Sequence, residues 1–247
     1  MKLERLCVAL LLASAAVLAN VATASAQVDS TVTPKSGPAM FGGGYLTGSI
    51  PQGEWAKTAG WGLGLDGTDI VRPSPASKLS IRSSSGVLYN FSQTVDVPAA
   101  NVGAGDKLSI KTSNWSITFG IGPEFSIPNK AISPFIFGTA GFDTYWTSSE
   151  LAGTANGANY SAEHGDSRIS FAWGAGVGIR KHSQEGVQME LSAEWRSGSD
   201  HQFLRPDDVR SSGAGVVADR QSHTSDQIII RLGAVLGGAA LKAKNKK

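Results

Sequence analysis

From Arg168 to Arg180 the chain reads Arg-Ile-Ser-Phe-Ala-Trp-Gly-Ala-Gly-Val-Gly-Ile-Arg, with apolar side chains at odd positions and small or charged ones at even positions. Asn114 to Gly122 and Val187 to Arg196 follow the same rule. A period of two sends the two sets to opposite faces of a β-strand, and no helix can separate them this way. Eight such segments are found, at about 39–49, 60–71, 78–91, 108–126, 134–147, 168–181, 187–197 and 226–236. The first, fifth and last alternate less cleanly. No capped helical stretch and no repeat of solenoid period interrupts them, so one β domain is expected.

The links between segments sort by parity. The second, fourth and sixth are short: Arg72 to Ser77, Ile127 to Ser133 and His182 to Gly186. The third, fifth and seventh are long and polar: Ser92 to Lys107, Ser148 to Ser167 and Gly198 to Ser225, with Ile50 to Ala59 intermediate. Short turns at one end and long loops at the other is the pattern of an outer-membrane barrel. A soluble sandwich has no reason to sort its loops in this way.

The start of the chain agrees. Lys2 and Arg5 precede a mostly apolar run from Val8 to Leu18, and Ala24-Ser25-Ala26 offers an A-x-A cleavage site. This pattern predicts a secretory signal peptide cleaved after Ala26. Cys7 is the one cysteine, so the mature chain has none and cannot be a disulfide-stapled module. Formal charge is +2. With the signal and the four lysines of the tail (Lys242, Lys244, Lys246, Lys247) set aside, the remainder is slightly acidic, which argues against a nucleic-acid partner. No later window holds 18 apolar residues, so no transmembrane helix is expected. The expected division is a signal peptide at 1–26, a periplasmic segment at 27–38, a barrel at 39–236 and a basic tail at 237–247.

With the N-terminus periplasmic, Trp61, Trp115, Trp146 and Trp195 fall toward the external half of their strands, beside Tyr89 and Phe91. Phe41, Phe125 and Phe135 fall toward the periplasmic half. Amphipathic rings at both interfaces form the girdles of a membrane barrel. Ten residues separate Trp115 from Phe125. At about 3.3 Å each and a tilt near 40°, they cover about 25 Å of membrane height, the expected apolar band.

The face opposite the apolar one carries Asp66, Arg82, Glu124, Arg168, Arg180, Glu190, Glu194, Arg196 and Arg231. Eight strands enclose a lumen wide enough only for side chains or one small ligand. Charges held there must pair, because a lone buried ion costs several kcal/mol, so a rigid plug is expected and not a pore. Gly174-x-Gly176-x-Gly178 lies inside a strand with no helix after it, and so is not a phosphate loop.

The chain resembles the small outer-membrane barrels of the OmpA/OmpX-like β-barrel domain group. The resemblance is carried by Phe41-Gly42-Gly43-Gly44-Tyr45, Pro51-Gln52-Gly53-Glu54-Trp55, Gly60-Trp61-Gly62-Leu63-Gly64-Leu65, Pro134-Phe135-Ile136-Phe137-Gly138 and Gly174-Ala175-Gly176-Val177-Gly178, in that order. It spans about residues 38 to 238 and implies an eight-stranded antiparallel up-and-down barrel in the outer membrane of a Gram-negative-type envelope. Such barrels usually end on an aromatic residue. Here the last strand ends on Leu236 and continues into the lysine tail.

Chemistry is harder to find. The histidines are His164, His182, His201 and His223, and no metal-ligand spacing joins them. His182-Ser183 is a poor hydrolase pair, since adjacent residues point apart. Asp200-His201 resembles half of an outer-membrane protease site but lacks the facing acidic pair. The expectation is a monomer with no catalytic, metal or cofactor site, embedded in outer-membrane lipids. Any external partner would bind through loops 148–167 and 198–225, where Tyr160, Glu163, His164, Phe203, Leu204, Arg205, Asp207, Asp208, Arg210, Asp219 and Arg220 stand. The rival readings are a soluble lipocalin-like carrier, with its apolar face inward, and a lipid-modifying or proteolytic barrel enzyme.

Overall fold

A computed structural model describes residues 39–74, 77–98, 101–102, 106–127, 131–155, 157–182, 187–212, 215–218 and 221–237, with main chain alone at 182, 200–203, 211–212, 215 and 221. The signal peptide, the 27–38 segment, Ser183 and the lysine tail lie outside the described residues. The strands are β1 (Ala39–Pro51), β2 (Ala59–Arg72), β3 (Leu79–Asp96), β4 (Lys107–Ser126), β5 (Ile132–Ala155), β6 (Ala158–His182), β7 (Val187–Phe203), β8 (Val209–Ser212), β9 (Gly215–Ala218) and β10 (Gln221–Gly237). Eight of them close in the order β1-β10-β7-β6-β5-β4-β3-β2, and β8 with β9 forms a separate hairpin. All pairings are antiparallel, and β10 closes the ring on β1 from Phe41↔Gly237 to Pro51↔Gln227.

The faces sort as the alternation requires. Leu65, Ile136, Ile169, Phe171, Val177 and Leu232 are each more than half exposed on the outside, while Arg82, Glu124, Asp143, Arg180 and Glu194 are wholly buried inside. This inverts the arrangement of a soluble carrier. Only a hydrocarbon surround makes such an exterior favourable, so the chain is a membrane-spanning β-barrel. Trp61, Trp115 and Trp195 point outward at one end of the band and Phe125 at the other, with Trp146 half-buried on the same outer face. Trp115 sits opposite Trp146 across β4–β5, and Tyr89 lies 4.7 Å from the Trp115 ring.

Two sequence expectations are corrected. Phe135 is buried and faces the lumen, and Phe41 is half-buried beside Tyr45, Ile70 and Val235, so neither belongs to the periplasmic girdle. The second concerns the long links. Ser148 to Ser167 is no loop: β5 and β6 stay paired from Ile132↔Lys181 to Ala155↔Ala158. The extension went unseen because its outer face meets water and carries Ser, Gly, Glu and Asn in place of lipid-facing apolar residues. The seventh link likewise contains the ends of β7 and β10 and the β8–β9 hairpin.

The wall changes character at its outer rim. Register shifts fall between Ala59 and Gly62, Asn90 and Gln93, and His223 and Ser225, all at that level. Bulges bend and twist a strand locally, and here they mark where the wall leaves the membrane. Above the rim β6 loses β7, since their pairing begins only at Ala172↔Gly198. The upper parts of β3, β4, β5 and β6 thus stand out as a sheet whose β6 edge is paired by no other strand among the described residues. Its inner face packs Leu108, Ile110, Leu151 and Ala155 against Val97, Val102, Leu204 and Val209 of the connecting segments.

Candidate functional site: the charged lumen and its cap

Inward-facing positions of seven strands meet in two ionic layers. The periplasmic layer centres on Glu124 of β4. Arg180 of β6 donates to Glu124 through Nη1 at 2.6 Å and through Nη2, and Arg82 Nη1 donates to it at 3.2 Å. Glu190 of β7 accepts from Arg82 Nη2 at 2.8 Å and from Arg180 Nε at 2.7 Å. The guanidinium of Arg180 lies 4.1 Å from the centre of the Phe135 ring, and that of Arg82 lies 4.8 Å from Phe137. These rings supply a π face where water would otherwise solvate the cations.

Room for the rings comes from β6. Phe135 pairs with Gly178 and Phe137 with Gly176 across β5–β6. A Cβ on either glycine would overlap the facing ring. The two glycines are therefore required by close packing of aromatic side chains inside a narrow cylinder.

The outer layer centres on Arg196 and Arg231. Arg196 Nη2 donates to Asp143 Oδ1 at 2.6 Å and Nη1 lies 3.5 Å from Glu194 Oε1. Arg231 bridges Asp66 Oδ2 at 2.8 Å and Glu194 Oε2 at 2.6 Å. Each charge thus meets partners from other strands, and the layers tie the wall together across the lumen.

A cap closes the outer end. The turn Trp55–Lys57 in the first link places Trp55, wholly buried, edge-on to Tyr145 with ring centres 5.6 Å apart. Tyr145 donates to Asp143 Oδ2 at 3.1 Å and accepts from Ser225 at 2.8 Å. The neighbouring Glu54 holds the cap to the seventh link, since Arg205 Nη1 donates to Glu54 Oε2 at 2.8 Å while Arg205 Nη2 donates to Asp208 at 2.9 Å.

Donation from Lys57, then from Arg205, holds the Glu54 carboxyl below the usual carboxylate range, and Asp208 and Glu54 raise the Arg205 guanidinium further. A carboxyl depressed in the folded state contributes its contact above the unfolded value and loses it as pH falls through the folded one. Following the Trp55 indole resonance during acidification should show a midpoint below the ordinary glutamate range. Arg205→Gln should move that midpoint upward. A midpoint indifferent to Arg205 would remove the clasp from the account.

Eight of the nine charged residues expected in the lumen are there: Asp66, Arg82, Glu124, Arg180, Glu190, Glu194, Arg196 and Arg231 are all buried. Arg168 is not. It faces inward on β6 but above the last β6–β7 pair, where its side chain is 41% exposed and lies 3.4 Å from Asp166. Sequence reasoning also missed Arg72, Asp143, Tyr45 and Tyr145. On β5 both faces carry rings, so alternation alone placed Phe135 on the wrong side and hid the inward register of Asp143. The facing pairs Phe-x-Phe and Gly-x-Gly were the available signal. Ser183 and the side chains of His182, Asp200 and His201 fall outside the described residues. Among the described residues no group of His, Cys, Asp and Glu is placed to hold a metal.

No family model matches the chain, and no curated protein matches it in sequence. Solved structures do show a likeness. The chain is similar to the outer membrane protein OprG from Pseudomonas aeruginosa at 13% identity, with a TM-score of 0.49 over 82% of this chain and 96% of that one. Ail, the attachment invasion locus protein of Yersinia pestis, is 13% identical with a TM-score of 0.40, over 81% and 97% of the two chains. Neisserial surface protein A is 8% identical with a TM-score of 0.38, over the same shares. The fold rests on the closed ring of strands and its inverted faces. The chain is an eight-stranded antiparallel up-and-down membrane barrel, the architecture implied by its resemblance to the OmpA/OmpX-like group.

Proposed function

We propose that this protein is an outer-membrane scaffold, a sealed and non-conducting barrel that carries a rigid platform for contacts at the cell surface. The observation that carries the reading is the lumen, where two ionic layers span the wall and Trp55 closes the outer end. Such a filling opposes ion passage, since opening a path would separate buried pairs at several kcal/mol each. The export signal expected from the sequence and the apolar outer wall support the outer membrane as its location, with lipids as its surround. The sheet raised above the rim supports the surface role. It has its own small core, and the edge of β6, which no described strand pairs above Ala172, offers main-chain groups of the kind another strand can use. Contact through 148–167 and 198–225 is then made by folded structure, with Leu204 and Val209 buried as packing and not offered as anchors. The scaffold role needs neither a cofactor nor a catalytic group.

Reconstitution into planar bilayers tests the reading. The barrel should give no steady conductance. Large, sustained single-channel currents from the intact protein would show a mobile plug and defeat it.

A further inference from the structure

Among the described residues the periplasmic ionic layer does not balance. It contains three guanidinium groups, from Arg72, Arg82 and Arg180, and two carboxylates, from Glu124 and Glu190. Both oxygens of Glu124 are already engaged by Arg180, and by Arg82 and Ser80 besides. Glu190 is shared by Arg82 and Arg180. Arg72 is left over. Among the described residues its nearest carboxylate oxygen is 4.0 Å away, its one hydrogen bond goes from Nη2 to Ser126 Oγ at 3.2 Å, and its buried Nε has no partner. The residue is 4% exposed, with its guanidinium carbon 5.0 Å from the Phe41 ring. Among the described residues a surplus of negative charge sits in the other layer, where the three carboxylates of Asp66, Asp143 and Glu194 form ion pairs with two guanidiniums, Arg196 and Arg231.

Arg72 closes β2 at the periplasmic end, beside the start of β3, where the carbonyl of Lys78 accepts the Ser126 amide at 2.8 Å. Lys78 is exposed at the same end of the barrel, and Lys181 is exposed on the outer face of β6 at that level. A planar guanidinium with unused donors, set at the low-dielectric end of the lumen near Lys78, matches the fork geometry of an oxyanion.

We infer that the periplasmic mouth of the lumen is an anion site, in which Arg72 binds a phosphate group. The group is either free inorganic phosphate or the headgroup of an inner-leaflet phospholipid. The site goes beyond the scaffold reading and is independent of it, since a conducting barrel would defeat that reading and leave this one standing.

The test is ³¹P NMR of the full barrel in dodecyl maltoside, a detergent without phosphorus. Inorganic phosphate should broaden in a saturable way with wild type, at least about tenfold more weakly with Arg72→Gln, and to an intermediate degree with Arg72→Lys, as expected for losing hydrogen bonds to a charged group. Heat-shifted gel migration verifies that each variant is folded, and Arg72→Lys keeps the charge should Arg72→Gln fail. If added phospholipid and not free phosphate is retained in an Arg72-dependent way, the source is the membrane. Retention of neither by wild type, or equal retention by wild type and Arg72→Gln, overturns the inference.

Discussion

Replacing Glu124 by alanine should destabilise the folded barrel by about 3–5 kcal/mol, the cost of stranding buried partners without a counter-charge. The side chain is wholly buried and is the meeting point of Arg82 and Arg180, with Arg72 at the edge of reach. Its loss leaves three cations around Glu190 alone. Removing a pair together should be gentler. In Glu124→Leu combined with Arg180→Met, Arg82 keeps Glu190 at 2.8 Å and the vacated space is refilled by apolar side chains of similar bulk. The double variant should therefore lie closer to wild type than Glu124→Ala does. Equilibrium urea unfolding from lipid vesicles measures both. If the double loss equals the sum of two large single losses, the layer is not the coupled network described above.

The second large effect is steric. Gly178→Val should cost about 1–3 kcal/mol or more, because added carbons in a packed interior force side chains off their rotamers. The Cβ would overlap the Phe135 ring, which cannot withdraw without leaving Arg180 and Arg82. Trimming the ring should relieve the clash, so Phe135→Leu is expected to recover part of the loss in the Gly178→Val background while being harmful alone. Gly44→Ala is the control. That glycine faces outward with nothing within 4 Å of its would-be Cβ, and its substitution should be close to neutral. Equal damage from both glycines would mean that general strand propensity, not ring packing, sets the requirement.

How far the sequence alone reaches follows from what alternation can encode. Where one strand face meets lipid and the other the lumen, as in β6 and β7, both the strand and its facing are legible, and eight lumen charges follow from parity. The signal fades on β5, where Phe135, Phe137 and Tyr145 point in while Ile136, Phe142 and Trp146 point out, and apolar character no longer distinguishes the faces. It vanishes above the rim, where 148–167 has water on its outer side and small residues replace the lipid-facing set. Pairing between distant charges is beyond it altogether: that Arg231 meets Asp66 depends on closure of the ring, which brings β10 to β1 and so close to β2. Trp55 was legible only as part of a motif, because its burial depends on the cap fitting a lumen whose occupants come from other strands.

The central claim is that the apolar face of the wall meets lipid and the polar face encloses a filled lumen. Tryptophan fluorescence in vesicles of brominated phospholipid tests it most directly, using variants that retain one of the six tryptophans. Trp195, which is 40% exposed on the outer wall, should be strongly quenched, and Trp115 likewise at 50% exposed. Trp55, wholly buried under the cap, should keep most of its emission in the same vesicles. Strong quenching of Trp55 together with protection of Trp115 and Trp195 would contradict the account, because it would put the apolar face inside.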